Sequence, residues 1–351
     1  MIEPTGSILI GHPATSMTVL NVAFVGTQDY AKSIAKLNDT RDIESYVYKV
    51  VEDGETKIIS LLRPLRHPER LRPLLSVLNV ARCGIVEIER VDAAIGEILV
   101  AFGCSGIEHG HIIIRPAEGE WVDPEQIRVI QQQAGLTSWT LHSTPPDEHE
   151  MRKLLFDLLD GLEDQSKAPL VIPVDQHFNV KGVGLVAIGY VQSGIVNKHD
   201  KLLALPTTEI GTARSLQVMD DDVDVAIAGD RVGVAMRDLR QEALERGSLL
   251  VKPDDDDGGH ETTMERHEKS RLQLTIAPFQ QKAISVGDVI HAAADLQFVV
   301  GRVEAIDGQT LDISWDQTLF LRSDNQPRVL INQLDLKMRV LGFSNKLSPI
   351  N

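Results

Sequence analysis

The spacing of apolar residues changes character once along this chain, near residue 165, and that change constrains the fold more than any other feature. Between residues 18 and 160, apolar runs alternate with amphipathic stretches, the signature of α/β architecture with a mainly parallel sheet. From Leu170 onward the apolar runs are short, glycines recur and helical periodicity almost vanishes, which predicts compact all-β domains. The join, Gly161-Leu-Glu-Asp-Gln-Ser-Lys-Ala-Pro169, is polar, ends in proline and reads as a linker. A second break near residues 240–248 divides the β part. The expected order is an α/β domain over 1–162, a linker over 163–169, a β-barrel over 170–240 and a second β-barrel over 241–351.

Within the first domain, strands are expected at 19–25, 47–51, 57–62, 83–88, 98–102, 111–114 and 139–142. The second and third flank Glu52-Asp53-Gly54-Glu55, whose Asp-Gly step favours a tight hairpin. Helices are expected at 30–37, 73–81, 91–97, 124–134 and 149–162. Leu71, Leu74, Leu75 and Leu78 follow the stripe of a core-facing helix, and Asp123 before Pro124 makes an N-cap and first-turn pair. The β part offers strands at 170–174, 184–191, 201–204, 211–218 and 231–236, then at 271–277, 297–306, 311–315, 319–322 and 334–341. Residues 1–16, ahead of Met17, read as an upstream extension rather than a short strand over 7–10. The acidic run Asp254–Asp257 with Gly258-Gly259 reads as a solvated loop.

The formal charge is −16, from 35 Lys+Arg against 51 Asp+Glu, which argues against a general nucleic-acid binder while leaving room for a local basic patch. Two cysteines, Cys83 and Cys104, make no disulfide framework, and a reducing cytoplasm is the simplest home. No run of 18 apolar residues exists, and no membrane partner is expected.

Chemistry concentrates first in Val22-Ala-Phe-Val-Gly26-Thr-Gln-Asp-Tyr-Ala31-Lys32-Ser33. A phosphate-binding loop reads G-x-x-x-x-G-K-[ST] between a buried strand and a helix. Gly26, Lys32 and Ser33 sit in register with it, but Ala31 replaces the second glycine and its Cβ crowds the phosphate approach. These three residues are therefore the candidate nucleotide contacts of a relic loop; the alternative is a helix N-terminus with a surface lysine. After 57–62, where a GTPase has D-x-x-G, the chain has Arg63-Pro64-Leu65-Arg66-His67. After 111–114, where [NT]-K-x-D reads guanine, it has Arg115-Pro116-Ala117-Glu118. GTP hydrolysis is not expected, and GTP or GDP with Mg²⁺ would bind only weakly. No resident cofactor or metal site is expected.

The stretch Pro173-Val-Asp175-Gln-His-Phe178-Asn-Val180-Lys181-Gly182-Val183-Gly184-Leu-Val186-Ala-Ile-Gly189-Tyr-Val-Gln-Ser-Gly194 resembles the second domain of translational GTPases. Asp200-Lys-Leu, Leu205-Pro206, Ala213-Arg-Ser-Leu-Gln217 and Ala228-Gly229-Asp230-Arg231-Val232-Gly233-Val234 continue that pattern in order. The resemblance implies an elongation-factor-Tu-like barrel, a GTPase-like α/β domain in degraded form before it and a third domain after it. The combination is similar to the archaeal SelB-like family, relatives of the selenocysteine-specific elongation factor. It implies tRNA or the ribosome as partner, and it puts His67 at the family's switch-two histidine position. The barrel glycines read as turn and bulge residues, and Asp230-Arg231 as a turn and strand-entry pair.

Arg63, Arg66, His67, Arg70 and Arg72 fall close together with a single acid, Glu69. Ordinary solvated arginines are one reading; the other makes Arg63 and Arg66 a fixed anion or partner contact. Charge left without nucleotide predicts that one of them pairs with a nearby carboxylate or captures an anion, Glu118 and Asp29 being the carboxylates on the same rim. About fourteen residues separate Lys32 from the hairpin, too few for a nucleotide-driven order–disorder switch. Three functions compete: a translation-factor-like protein binding tRNA or the ribosome without efficient hydrolysis, a slow but genuine GTP-binding elongation factor, and a protein–protein adaptor that has lost tRNA binding.

Overall fold

Strand β1 (Met17–Val25) is apolar on both faces because both are covered: Leu20, Val22 and Phe24 enter one core, and Ala23 with Val25 the other. In the computed structural model, which describes residues 17–52, 54–253 and 263–350, this strand lies at the centre of a seven-stranded sheet. The strand expected over 7–10, the acidic run at 254–257 with its two glycines, and Asp53 lie outside the described residues.

The first domain runs β1, α1 (Gln28–Ile34), β2 (Lys36–Thr40), β3 (Ile43–Glu52), β4 (Glu55–Pro64), α2 (Arg72–Val80), β5 (Cys83–Ile88), α3 (Ala93–Ser105), β6 (His109–Ile114), α4 (Pro124–Gln133), β7 (Thr140–His142) and α5 (Glu148–Gly161). The sheet order is β2-β3-β4-β1-β5-β6-β7, antiparallel over β2, β3 and β4 and parallel from β4 through β7. Helices α1 and α5 cover one face through Tyr30, Ala31, Ile34, Met151, Leu155 and Leu159. On the other face Leu71, Leu74, Leu75 and Leu78 are buried as the leucine stripe predicts.

The first domain differs from the sequence reading in two places, around α3, which also absorbs the helix expected over 91–97, and around α1. Residues 98–102 are not a strand but the middle of α3, which starts where Asp92 accepts the Ile95 N–H (3.0 Å) and ends at Gly106 in the left-handed region (φ 84°). The Ile98-Leu-Val-Ala-Phe102 run is apolar all round because α3 lies between the sheet and the third domain; Phe102 shares a cluster with Ala293, Leu296, Leu330 and Val340. The helix expected over 30–37 begins earlier and ends at Ile34, and Leu37 lies in edge strand β2 instead.

The second domain is a closed six-stranded barrel in which Lys201–Leu205 pairs with both Leu249–Val251 and Glu209–Val218. Its last strand, Leu249–Val251, lies past the break at 240 and also pairs with Val171–Val180. Gly194 (φ 76°) makes a turn against Leu170, and Gly189 admits the close approach of the Pro173 carbonyl, which a Cβ would meet at 2.4 Å. The third domain is an eight-stranded antiparallel sheet curled as a half-barrel. There 311–315 and 319–322 are one strand, Thr310–Arg322, and the strand expected over 334–341 is Val340–Ser344. Two strands the sequence reading left out, Val289–Ala294 and Val329–Asn332, pair side by side. Among the described residues, no helix is long and apolar enough to cross a membrane.

Candidate functional site

Ligands of open α/β sheets meet the protein at the carboxyl ends of the parallel strands. Here β1, β4, β5 and β6 end together and bring Gly26, Arg63, Glu87 and Arg115 to one rim. Only Gly26 and Thr27 separate β1 from α1. The helix starts that early because the Thr27 hydroxyl accepts from the Tyr30 N–H (3.3 Å), capping it. Ala31, Lys32 and Ser33 are therefore helical, where a phosphate loop would keep its backbone N–H groups turned to an anion.

Glu87 organises the rim. Its carboxylate is fully buried, and Oε2 accepts from both the Thr27 N–H (2.6 Å) and the Thr27 hydroxyl (2.7 Å). Oε1 accepts from the Arg115 guanidinium at 3.1 Å, and that guanidinium lies over the Tyr30 ring. Gly26 is needed here for a reason unlike a phosphate's: a Cβ on it would come within 2.7 Å of the Glu87 side chain. Arg63 crosses the same rim, its Nε donating to the Gly26 carbonyl (2.7 Å) and its terminal nitrogen to Glu44 Oε2 (2.9 Å). Glu44 also accepts from Gln28 (3.1 Å) and from the Tyr46 hydroxyl (2.6 Å). Burial pushes the Glu44 carboxyl upward, but the Tyr46 and Arg63 hydrogen bonds and the Arg63 charge outweigh it and leave it below the usual range. Burial, aided by Glu87, holds the Tyr30 phenol above its ordinary value, and its hydroxyl donates to the Pro146 carbonyl (3.2 Å).

The other candidates are dispersed. Lys32 is exposed and donates to Gln28 (2.8 Å), and the Ser33 hydroxyl donates to the Tyr30 carbonyl within the helix (2.8 Å), so neither joins Gly26 at the strand ends. Arg66 sits in the left-handed region (φ 62°), exposed and without a side-chain partner among the described residues. The His67 side chain is buried, its Nε2 at 3.0 Å from Glu97 of α3. Glu97 in turn holds Arg339 of the third domain through the backbone N–H (2.9 Å), the guanidinium Nε (3.0 Å) and a second guanidinium bond. Burial would raise the Glu97 carboxyl, but the His67 and Arg339 hydrogen bonds win and hold it near 2. Arg72 leaves the cluster too, packing over Phe298 of the third domain at 5.4 Å. The basic run is thus not one patch. Arg63 is fixed by a carboxylate as expected, but by Glu44; Glu118 and Asp29 are both exposed. Sequence reasoning missed Glu44, Glu97 and Arg339, which chain separation hides. Glu87 did carry a signal, an acid in the apolar run Cys83-Gly-Ile-Val-Glu-Ile88.

Residues 184–251 match the family described as elongation factor Tu domain 2. The chain is 27% identical over 327 residues to an uncharacterized protein of Methanocaldococcus jannaschii, covering 93% of this chain and 99% of that one. It is 38% identical over 107 residues to the selenocysteine-specific elongation factor of the same organism, a match spanning 30% of this chain and 23% of that factor. Among solved structures, SelB of Methanococcus maripaludis in complex with a GTP analogue shares the fold with a TM-score of 0.74 at 20% identity, over 97% of this chain and 81% of that one. A bacterial selenocysteine-specific elongation factor gives 0.71 at 18% identity, and there 93% of this chain spans 57% of that chain.

Proposed function

From a chain that is a SelB-like relative of the elongation factor Tu superfamily, we propose a translation-factor-like protein that binds tRNA or the translation machinery without a GTP hydrolysis cycle of its own. The observation that carries this reading is the buried Glu87 carboxylate on the Thr27 N–H and hydroxyl, balanced by Arg115, at the strand ends. This carboxylate takes the Thr27 N–H and the Arg115 guanidinium that a phosphate at the strand ends would otherwise have, so a second anion there would compete with Glu87 for them. A nucleoside triphosphate with Mg²⁺ does not fit these residues: the Ser33 hydroxyl is bonded inside α1, Lys32 points to Gln28, and the loop before the helix has two residues. Arg63 stands where a metal-organising carboxylate would be and is neutralised by Glu44. The α/β domain then serves as a fixed scaffold for the two β domains. The elongation factor relatives supply the partner class, which for this chain is a proposal.

Calorimetric titration with GDP and a non-hydrolysable GTP analogue, each with Mg²⁺, tests the nucleotide half. No saturable heat is expected. Submicromolar, guanine-selective binding, or a steady GTP turnover abolished by Lys32→Ala, would overturn it. Co-sedimentation with ribosomes and retention of a tRNA pool test the partner half, and the absence of both would favour the adaptor reading.

A further inference from the structure

Lys32, displaced from the strand ends, opens onto a different surface. Together with Ala35, Lys36, Leu37, Val47, Tyr48, Lys49 and Arg152 it lines a groove of about 530 Å³ between α1, β2, β3 and α5. All four charged side chains of that lining are cations, and no carboxylate is among them, in a chain whose formal charge is −16. We propose that this groove is a binding site for the phosphate backbone of RNA; the choice of RNA rests on the translational reading above, whereas the site itself rests on the groove.

The floor is rigid. Arg152 of α5 donates from Nε to the Ile34 carbonyl and from one terminal nitrogen to the Ser33 carbonyl, both at 2.7 Å, closing the C-terminal end of α1. Its guanidinium lies 4.2 Å from the centre of the Tyr48 ring, and its other terminal nitrogen has no partner among the described residues. The cations therefore have graded freedom. Lys36 is exposed with no partner among the described residues, Lys32 holds only the neutral Gln28, and Lys49 is paired with Asp221 at 2.5 Å. Lys36 sits on edge strand β2, so the groove runs along an open margin of the sheet. Tyr48 has Arg152 over its ring and Phe156 beside it at 6.1 Å. It is not offered as a platform for stacking a base, which makes phosphate rather than base the group that is contacted. The adjoining depression, with Glu52, Asp157 and Asp160 beside Lys57 and Lys153, has mixed charge and bounds the site on one side.

The test uses the full chain and a fluorescently labelled RNA hairpin, with anisotropy read from 50 to 300 mM KCl. Contact with about three phosphates predicts a log–log salt slope of about −3. Lys32→Glu with Lys36→Glu should weaken binding at least tenfold at 100 mM KCl and flatten the slope by about two. The double Lys→Arg variant should retain affinity within threefold, and Lys337→Glu, an exposed change in the third domain, should match wild type apart from its effect on net charge. Absence of hairpin binding by wild type, an unchanged affinity in the double Glu variant, or displacement of the RNA by polyglutamate at equal charge would overturn the site. Binding of tRNA or ribosomes that is indifferent to the double variant overturns the groove and leaves the translational reading standing. Hairpin binding lost in the double variant, with no retention of tRNA or ribosomes by wild type, overturns the translational reading and leaves the groove.

Discussion

Single residues at the strand-end rim show ion pairs and side-chain hydrogen bonds gathered where the sequence departs from a phosphate loop. Arg63 is held by two bonds, to Gly26 and Glu44, and Glu44 spends its other hydrogen bonds on Gln28 and Tyr46. Removing the guanidinium leaves a nearly buried carboxylate with hydroxyl and amide partners but no counter-charge. Arg63→Ala should therefore cost about 2–3 kcal/mol, read as a drop of several degrees in the thermal midpoint. An unchanged midpoint would mean that the pair is only a surface contact. Asp230, in the turn that enters the strand Arg231–Arg237, makes a pH-dependent counterpart. Its Oδ2 accepts from the Ile227 N–H (2.8 Å), Oδ1 is buried without a partner, and burial pushes its carboxyl up to about 7. The folded state then favours the protonated acid: its contribution is fully present below the unfolded value near 3.8 and is lost as pH rises through about 7. Asp230→Asn keeps the acceptor and removes the charge. It should raise the thermal midpoint at pH 8 by a few degrees and leave it unchanged at pH 4, which unfolding curves at the two pH values would check.

At the scale of elements, α3 shows why an apolar run can read as a strand. A buried strand and a helix covered on both sides both read as continuous apolar sequence, and only length and caps separate them. Here Asp92 and Gly106 are the caps, thirteen helical residues apart. Phe102 meets Trp139 edge-on with ring centres 5.0 Å apart and is fully buried. Phe102→Ala should cost about 3–5 kcal/mol, in line with other large-to-small core changes. Val129 on α4, 52% exposed, should lose no more than about 0.5 kcal/mol on the same truncation. Denaturant midpoints of the two variants would show whether α3 carries that weight; comparable small losses would refute it. Helix α1 teaches the opposite lesson. Its N-cap at Thr27 starts the helix at Gln28 and carries the Lys32-Ser33 pair more than one turn into it, so a motif in register by sequence is out of register in space.

Across the whole molecule, the first and third domains share one core, and the Glu97 cluster ties them with charge. Leu74, Leu78 and Phe102 belong to the same buried cluster as Leu296, Leu330 and Val340, while Arg339 and His67 meet on Glu97. The second domain is tied in through Asn21, which donates to the Gly229 carbonyl (2.7 Å), and through Arg246, which reaches Asp42 (2.5 Å). Unfolding near neutral pH should accordingly be a single cooperative transition. Arg339→Ala leaves Glu97 buried with only His67, which should cost about 3–5 kcal/mol and let the first and third domains unfold in separate steps by calorimetry. Because the Glu97 carboxyl is depressed, its contribution is present above the unfolded value of 4.5 and lost as pH falls through about 2. Acid titration of wild type should therefore show loosening of this contact between those values, and Glu97→Gln should remove that step while lowering stability at pH 7.

The domain order, most first-domain strands and the middle barrel were legible because they are written in local patterns: alternation, turn glycines at fixed offsets, and caps beside apolar stripes. Cys83–Ile88 and the leucines of α2 lie where those patterns put them. The departures from a phosphate loop were legible as well, since Ala31, Arg63 and Arg115 can be seen one at a time. The carboxylates that partner Thr27, Arg63 and Arg115 at the strand ends could not be read that way. Glu87 is 60 residues from Thr27, Glu44 is 19 from Arg63, and Arg339 is 242 from Glu97. No local preference encodes such pairs, because a charge can be buried only where packing brings its partner to it. The sequence by itself determined the scaffold and where its first domain departs from a phosphate loop; the tertiary structure alone decided which carboxylates pair with Arg63 and Arg115, that His67 faces the third domain, and that Lys32 opens onto a groove of cations.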